Sequence, residues 1–252
     1  MSHQRLTIGR VPVDVVTFQQ AIDRIEALVD ARQGGSVFTP NVDHVVNVDD
    51  DPAFAAAYQR ASLCLADGMP LVWASRVLGR PLPERVAGSD LLEPTLRLAA
   101  RRGYRVFFLG AGPGVAEKAA KVATERFGTT IVGTDAPMVR LGDTARVDAI
   151  AAQLAAAKPD LVMMAFGAPK QELLIDAIAE RVKPAVMLGI GASLDFLAGT
   201  VKRAPAVMRN TGFEWLYRLG QEPTRLWRRY LVNDPRFVAI LLRTLRAQRR
   251  AP

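Results

Sequence analysis

The sequence is poor in the residues from which covalent staples and metal centres are built. Its 252 residues include one cysteine, Cys64, and two histidines, His3 and His44. A single cysteine excludes an internal disulfide and any Cys-rich zinc site, and it suits a reducing compartment. Two histidines make a His-based metal site an equally poor expectation. No apolar run approaches the roughly 18 residues of a transmembrane helix; LVMMAFGAP and FVAILL are far too short. The opening MSHQRLTIGR lacks the apolar core of a signal peptide. The expectation is therefore a chain made and kept in the cytoplasm. Repeats and low-complexity segments are also missing. What is present is 50% hydrophobic and 23% charged sequence with 19 Gly and 16 Pro. That composition supplies a sizeable core and excludes a disordered or collagen-like chain.

Charge divides the chain. Residues 1–199 hold 21 Lys+Arg against 22 Asp+Glu, whereas residues 200–252 hold 12 against 3. The whole basic excess sits in the last fifth, and eleven of those twelve cations are Arg. Arginine suits bidentate contact with phosphate and carboxylate. A solvated basic face is the plain reading; a surface for phospholipid, nucleotide or nucleic acid is the sharper one.

Hydropathy divides the chain at the same place. Before residue 200, short apolar runs ended by Gly, Pro or Asp predict buried parallel strands at 37–40, 62–66, 105–110, 130–134, 161–167 and 185–191. Helical patterns predict Thr17–Arg32, Pro52–Ala61, Met69–Leu78, Ser89–Arg102, Val115–Phe127, Thr144–Ala157 and Lys170–Arg181, with Ser89 and Asp143 as N-caps. This alternation predicts an α/β fold, a doubly wound Rossmann-like parallel sheet with ligands at the carboxyl ends of its strands. Residues 1–199 form its catalytic core. Residues 200–252 carry no strand pattern and predict a basic helical appendage. Its three short helices are Phe213–Gly220, one from Pro223 and one after Pro235. In the last, Phe237, Ile240, Leu241 and Leu245 share a face. That face suits a membrane interface and docking onto the core, two readings that do not exclude each other.

Four stretches collect chemistry at predicted strand ends. RVFFLGAGPG places Gly110, Gly112 and Gly114 between a strand and a helix, as a phosphate cradle or an ordinary tight turn. The dinucleotide fingerprint wants its third Gly where Val115 stands, though Asp135 imitates its ribose-binding acid. TPNVDH carries Thr39, Asn41, Asp43 and His44. LADGMP carries Asp67, and FGAPKQE carries Lys170 and Gln171. Arg85 stands in RVAGSDL outside any helical pattern. Each polar group has a capping explanation taken alone, but all of them fall on one sheet edge. The Asp49–Asp51 run has the Asp-x-Asp spacing of a sugar-transferase metal site, yet it reads as a solvated acidic loop before a helix.

TPNVDHVV, LADGMPLVWAS, RVAGSDL, FLGAGPG, FGAPKQE, GIGASLDFLAGTVKRAP and GFEWLYRLGQEPTRLWRRY, in this order, resemble the WecG/TagA/CpsF glycosyltransferases (glycosyltransferase family 26) from about Thr7 to Tyr230. The resemblance implies transfer of a sugar, best N-acetylmannosamine, from a UDP-sugar to a polyprenyl-diphosphate-linked sugar. The transfer is inverting and metal-independent, and serves bacterial teichoic acid or surface polysaccharide synthesis. It implies Asp67 as catalytic base, Thr39, Asn41, Arg85 and Gln171 as sugar-pocket residues, and Arg218, Arg225 and Arg228 as appendage arginines at the diphosphate. Gly110 and Gly112 join the nucleotide contacts. It also implies a peripheral position on an anionic inner membrane face, no nucleic-acid partner and no cofactor; a homo-oligomer is compatible with it. The alternative that the residues leave open is an NAD(P)-dependent oxidoreductase built on GAGPG.

Overall fold

A computed structural model of the chain describes residues 4–140 and 142–250, without the side chains of 206, 210, 225 and 250. Its elements, in chain order, are β1 (Arg5–Ile8), β2 (Val11–Asp14), α1 (Phe18–Asp30), β3 (Gly35–Phe38), α2 (Val42–Asp50), α3 (Pro52–Arg60), β4 (Leu63–Cys64) and α4 (Met69–Val77). Then come α5 (Gly88–Arg102), β5 (Arg105–Gly110), α6 (Val115–Phe127), β6 (Thr130–Asp135), α7 (Thr144–Ala157), β7 (Leu161–Ala165), α8 (Lys170–Ile178), β8 (Val186–Gly189) and α9 (Ser193–Ala198). The last stretch holds α10 (Ala206–Asn210), α11 (Glu214–Gln221), α12 (Pro223–Arg228), a π turn (Arg229–Asn233) and α13 (Arg236–Arg250).

Six parallel strands run in the order β4-β3-β8-β7-β5-β6, and each matches a strand predicted from the sequence. Period-two alternation explains why the apolar runs of the inner strands β5, β7 and β8 are continuous. On β5, Val106 and Phe108 join the apolar layer of α1, α5 and α6, while Phe107 and Leu109 join that of α3, α7 and α8. Strands with helices on both faces have no side free for polar residues. The winding reverses between β5 and β7: β5 leads outward through α6 to β6, and β7 leads the other way through α8 to β8. This is the doubly wound α/β class, with its switch point at the carboxyl ends of β5 and β7.

Several elements have no counterpart in the sequence prediction, the short helices α9 and α10 among them, and two of them shape the frame of the site. The first is the antiparallel β1–β2 hairpin, which seals the short edge strand β4. Its buried Asp14 carboxylate accepts from the Cys64 N–H (2.8 Å) and from Arg5 Nε (3.1 Å). The second is α2, whose first turn is closed by a reciprocal cap between Asn41 and His44. Asp49 and Asp50 therefore lie in a helix rather than in a solvated loop, and Asp51 caps α3 by accepting from Ala53 and Phe54. Asp143 caps α7 as predicted. Ser89 does not cap α5, which begins at Gly88 behind Ala87; its hydroxyl accepts instead from Arg203 Nη2 (2.6 Å).

The appendage docks on this frame. Phe237 and Ile240 of α13 are buried in the same cluster as Leu6 and Ile8, and Leu241 and Leu245 pack against it. The docking reading of that face holds, and the membrane-inserting reading of Phe237, Ile240 and Leu241 falls. Arg236 grips Asp50 through two 2.7 Å bonds and Arg243 pairs with Asp49. Both of these α13 arginines are thus engaged with the core. Ile240 is 2% exposed, so Ile240→Ala is expected to cost about 2–5 kcal/mol, as core truncations of this size do. Urea unfolding measures it, and a loss below about 1 kcal/mol would mean that α13 is only loosely held.

Candidate active site

Asp67 leaves β4 one strand from β3, and its N–H donates to the Pro40 carbonyl (2.8 Å), joining the two strand ends. Gly68 follows at φ +134°, a conformation L side chains rarely adopt, and lets α4 start directly behind the carboxylate. Asp67 lies at an open cavity of about 310 Å³ between these strand ends and the appendage. Asn41, Val42 and Arg85 line it from the core. Arg209, Glu214, Trp215, Arg218, Arg229, Tyr230 and Asp234 line it from the appendage. The Trp215 and Tyr230 rings lie 5.8 Å apart, and Arg229 stands over Tyr230, forming one wall.

The electrostatics are those of a carboxylate kept basic among guanidinium groups. Burial raises the Asp67 pKa, Glu214 raises it further, and Arg85 and Arg218 oppose them; the result is about 6. Arg85 Nη1 stands 3.7 Å from Asp67 Oδ1, while Arg85 Nη2 donates to Asp90 (2.6 Å). Arg218 pairs with Glu214 at 2.9 Å. Burial works against the Arg218 charge, but Glu214 and Asp67 outweigh it and its pKa moves up. Burial likewise pushes Asp234 to about 6, against the pull of Arg229. Arg229 Nη2 donates to Asn41 Oδ1 (3.3 Å), tying the π turn to the first turn of α2.

Of the residues singled out in the sequence, Asp67, Asn41, Arg85 and Arg218 meet in this cavity. Thr39 and Gln171 lie outside its lining and act on the β8 end instead. Thr39 Oγ1 donates to the Gly189 carbonyl (3.2 Å). Gln171 Oε1 accepts from Phe166 (3.2 Å) and Gly191 (3.0 Å), and its Nε2 donates to Glu172 (2.9 Å). Gly110 and Gly112 form the β5–α6 turn at the switch point, also outside the lining. A Cβ on Gly110 would stand 2.5 Å from the Ala165 carbonyl, so only glycine lets β5 and β7 approach there. Arg228 is exposed and does not line the cavity, whereas its neighbour Arg229 does. The side chain of Arg225 and the whole of His3 lie outside the described residues.

Sequence reasoning missed Arg209, Glu214, Arg229, Tyr230 and Asp234. The basic composition located the segment but carried no information on which arginine turns inward. The Glu214–Arg218 spacing of four was a readable helical ion pair. Among the described residues no group of three or more His, Cys, Asp or Glu is placed to hold a metal ion, and no helix is long and apolar enough to cross a membrane.

Comparison with known proteins identifies the family. The model of the glycosyl transferase WecG/TagA/CpsF family matches residues 6–251. A relative from Bacillus spizizenii (strain ATCC 23059 / NRRL B-14472 / W23) is 36% identical over 220 residues, covering 87% of this chain and 83% of its own. That relative is an N-acetylglucosaminyldiphosphoundecaprenol N-acetyl-beta-D-mannosaminyltransferase. The chain therefore belongs to the WecG/TagA/CpsF family and is a glycosyltransferase, not the oxidoreductase that its Gly-rich turn alone would allow.

Proposed function

We propose that this enzyme transfers an N-acetylmannosamine-type sugar from a UDP-sugar to a polyprenyl-diphosphate-linked sugar by a single inverting displacement. The observation that carries the reading is one cavity holding a carboxylate with a pKa of about 6 together with Arg85, Arg209, Arg218 and Arg229. A sugar hydroxyl is a weak nucleophile. As its oxygen attacks the anomeric carbon of the donor, Asp67 accepts its proton, the carbon–oxygen bond to UDP breaks, and the configuration inverts. UDP departs as a diphosphate whose charge grows during bond breaking. Fixed guanidinium groups stabilise that charge without a metal. In the Asp49–Asp51 run, the metal candidate by spacing, Asp49 is paired with Arg243, Asp50 with Arg236, and Asp51 caps α3. The relative's acceptor, a diphosphoundecaprenol-linked sugar, supports the lipid-linked acceptor here.

The decisive test is UDP release from UDP-N-acetylmannosamine with a short-chain lipid-diphosphate N-acetylglucosamine acceptor. Release should require both substrates and persist in EDTA. Complete loss in EDTA, restored by Mg²⁺ or Mn²⁺, would overturn the metal-free mechanism. Release with the donor alone at the same rate would overturn the acceptor assignment.

A lipid-linked acceptor also requires the enzyme to work at the cytoplasmic membrane face. With Phe237 and Ile240 occupied by the core, the apolar contact passes to the exposed Trp227, Leu231, Val232, Val238 and Leu242, beside the remaining arginines. Leu231→Ser with Val232→Ser should weaken co-sedimentation with anionic vesicles while leaving Tm unchanged. Undiminished pelleting would move the contact elsewhere on the surface.

A further inference from the structure

One carboxylate outside the cavity lining gathers more guanidinium groups than any group inside it. Asp90, on the first turn of α5, accepts from Arg85 Nη2 at 2.6 Å through Oδ2. Its Oδ1 accepts from Arg203 Nη2 at 2.6 Å and from Arg209 Nη1 at 3.1 Å. Arg85 and Arg209 line the cavity, and Arg203 and Arg209 belong to the appendage. Asp90 is thus the junction at which the core holds both a cavity arginine of its own and the entering end of the appendage.

The geometry at Arg85 is unusual in one respect. Its Nη1 is buried and makes no hydrogen bond among the described residues, although Asp67 Oδ1 lies only 3.7 Å away. A free guanidinium beside a carboxylate would close to a hydrogen-bonded pair, the strong arrangement for these two groups. The Nη2 bond to Asp90 holds it back.

We propose that Asp90 is a positioning residue of the transfer reaction: it holds Arg85 just short of a hydrogen bond with Asp67 and so leaves the Asp67 carboxylate free to accept the acceptor's proton. The proposal rests on Asp67 being the base. The charged groups around Asp67 are Arg85 from the loop before α5, Asp90 from α5, and Glu214 and Arg218 from α11, with Arg209 of α10 lining the same cavity. Arg85 and Arg209 both lose a partner with the Asp90 charge, and the two changes that bear directly on Asp67 act in one direction. Asp90 itself favours protonation of Asp67, and Arg85, once released, moves closer and favours ionisation. Asp67 becomes a weaker base on both counts.

The test measures the Asp67 carboxyl directly, by ¹³C NMR titration with the signal assigned by its loss in Asp67→Asn, alongside the pH dependence of kcat. In Asp90→Asn the Asp67 pKa should fall by about one unit or more. The acid limb of kcat should move down with it, and plateau kcat should drop by about tenfold as the base weakens. In an Arg85→Met background, adding Asp90→Asn should move the Asp67 pKa far less, because the guanidinium that carries the effect is gone. Should Asp90→Asn fail to fold, Asp90→Glu keeps the charge, lengthens the arm toward Asp67, and should lower the pKa by a smaller amount. An unchanged Asp67 pKa in the folded variant overturns the proposal and leaves Asp90 a clasp between core and appendage. Turnover surviving in Asp67→Asn instead removes the base assignment, and the proposal's catalytic sense with it, whatever the titration shows.

Discussion

Asp67→Asn is expected to lower kcat by about 10²–10⁴-fold, the span of general-base assistance, with donor KM little changed. The amide keeps the size of the carboxylate but cannot take a proton. With the Asp67 pKa at about 6, wild-type kcat should fall about tenfold per pH unit below that point, and the variant should lose this limb. The same substitution is expected to stabilise the fold. Asp67 is protonated more readily in the folded chain than at its ordinary value of 3.8. The native state therefore binds more protons than the unfolded one between those two values, and stability declines as pH rises through that window. Above pH 6 the full cost is present, and Asp67→Asn removes it. With 30% of the side chain exposed, solvent screening discounts the gain to about 1 kcal/mol. That is about 2–4 °C in Tm at pH 7.5 for a chain of this size. A rise in Tm together with collapse of kcat marks a site strained for function. A variant that keeps near-full turnover at saturating substrate would remove Asp67 from the role.

How far such a site is legible in sequence depends on what positions each residue. Asp67 was readable because it sits immediately beyond a buried strand, where period and burial fix the chain direction and the fold places its ligands. Most of the sheet strands were readable for the same reason, their apolar runs being near-continuous. The half-buried edge strand β6, TIVGTD, was carried by its position between two helical patterns. The β1–β2 hairpin was not readable. RLTIGRVPVD holds four-residue strands around a Gly9–Arg10 turn, and Pro12 argues against a strand until Asp14 is seen capping the edge strand β4. The α2 helix was hidden because NVDHVVNVDD is half acidic or amide, so its composition resembled a loop. Its Asn41–His44 cap is visible only in coordinates. The appendage shows the sharpest limit. Counting arginines located a basic segment, and the resemblance nominated Arg228, yet Arg229, where the α12 helix passes into the π turn, is the one that lines the cavity. A single extra residue in a helical turn changes which neighbour faces inward, and no periodicity rule anticipates it.

Arg218→Ala is the second large effect, expected to lower kcat by about 10²–10³-fold, as removal of one preorganised charge-stabilising donor does. Arg218 is held by Glu214 at 2.9 Å on one helix face and lines the cavity together with Asp67. The proposed mechanism gives it two roles, which its loss separates by sign. As a diphosphate ligand, its absence slows departure of UDP at every pH. As a cation near Asp67, its absence removes a force that favours ionisation, leaving Arg85 alone to oppose burial and Glu214. The Asp67 pKa should then rise above about 6 and the acid limb of kcat should move upward, opposite to the shift expected for Asp90→Asn. Arg218→Lys restores the charge without the planar fork, so it should return the acid limb toward its wild-type position but recover kcat only in part. Of the neighbouring pair, Arg229→Ala should cost more turnover than Arg228→Ala, because Arg229 lines the cavity and bonds Asn41 while Arg228 faces solvent. Should Arg228→Ala prove the costlier, or should Arg218→Ala leave kcat within a factor of a few of wild type, the diphosphate lies elsewhere in the cavity and the guanidinium array described here is a scaffold for the appendage alone.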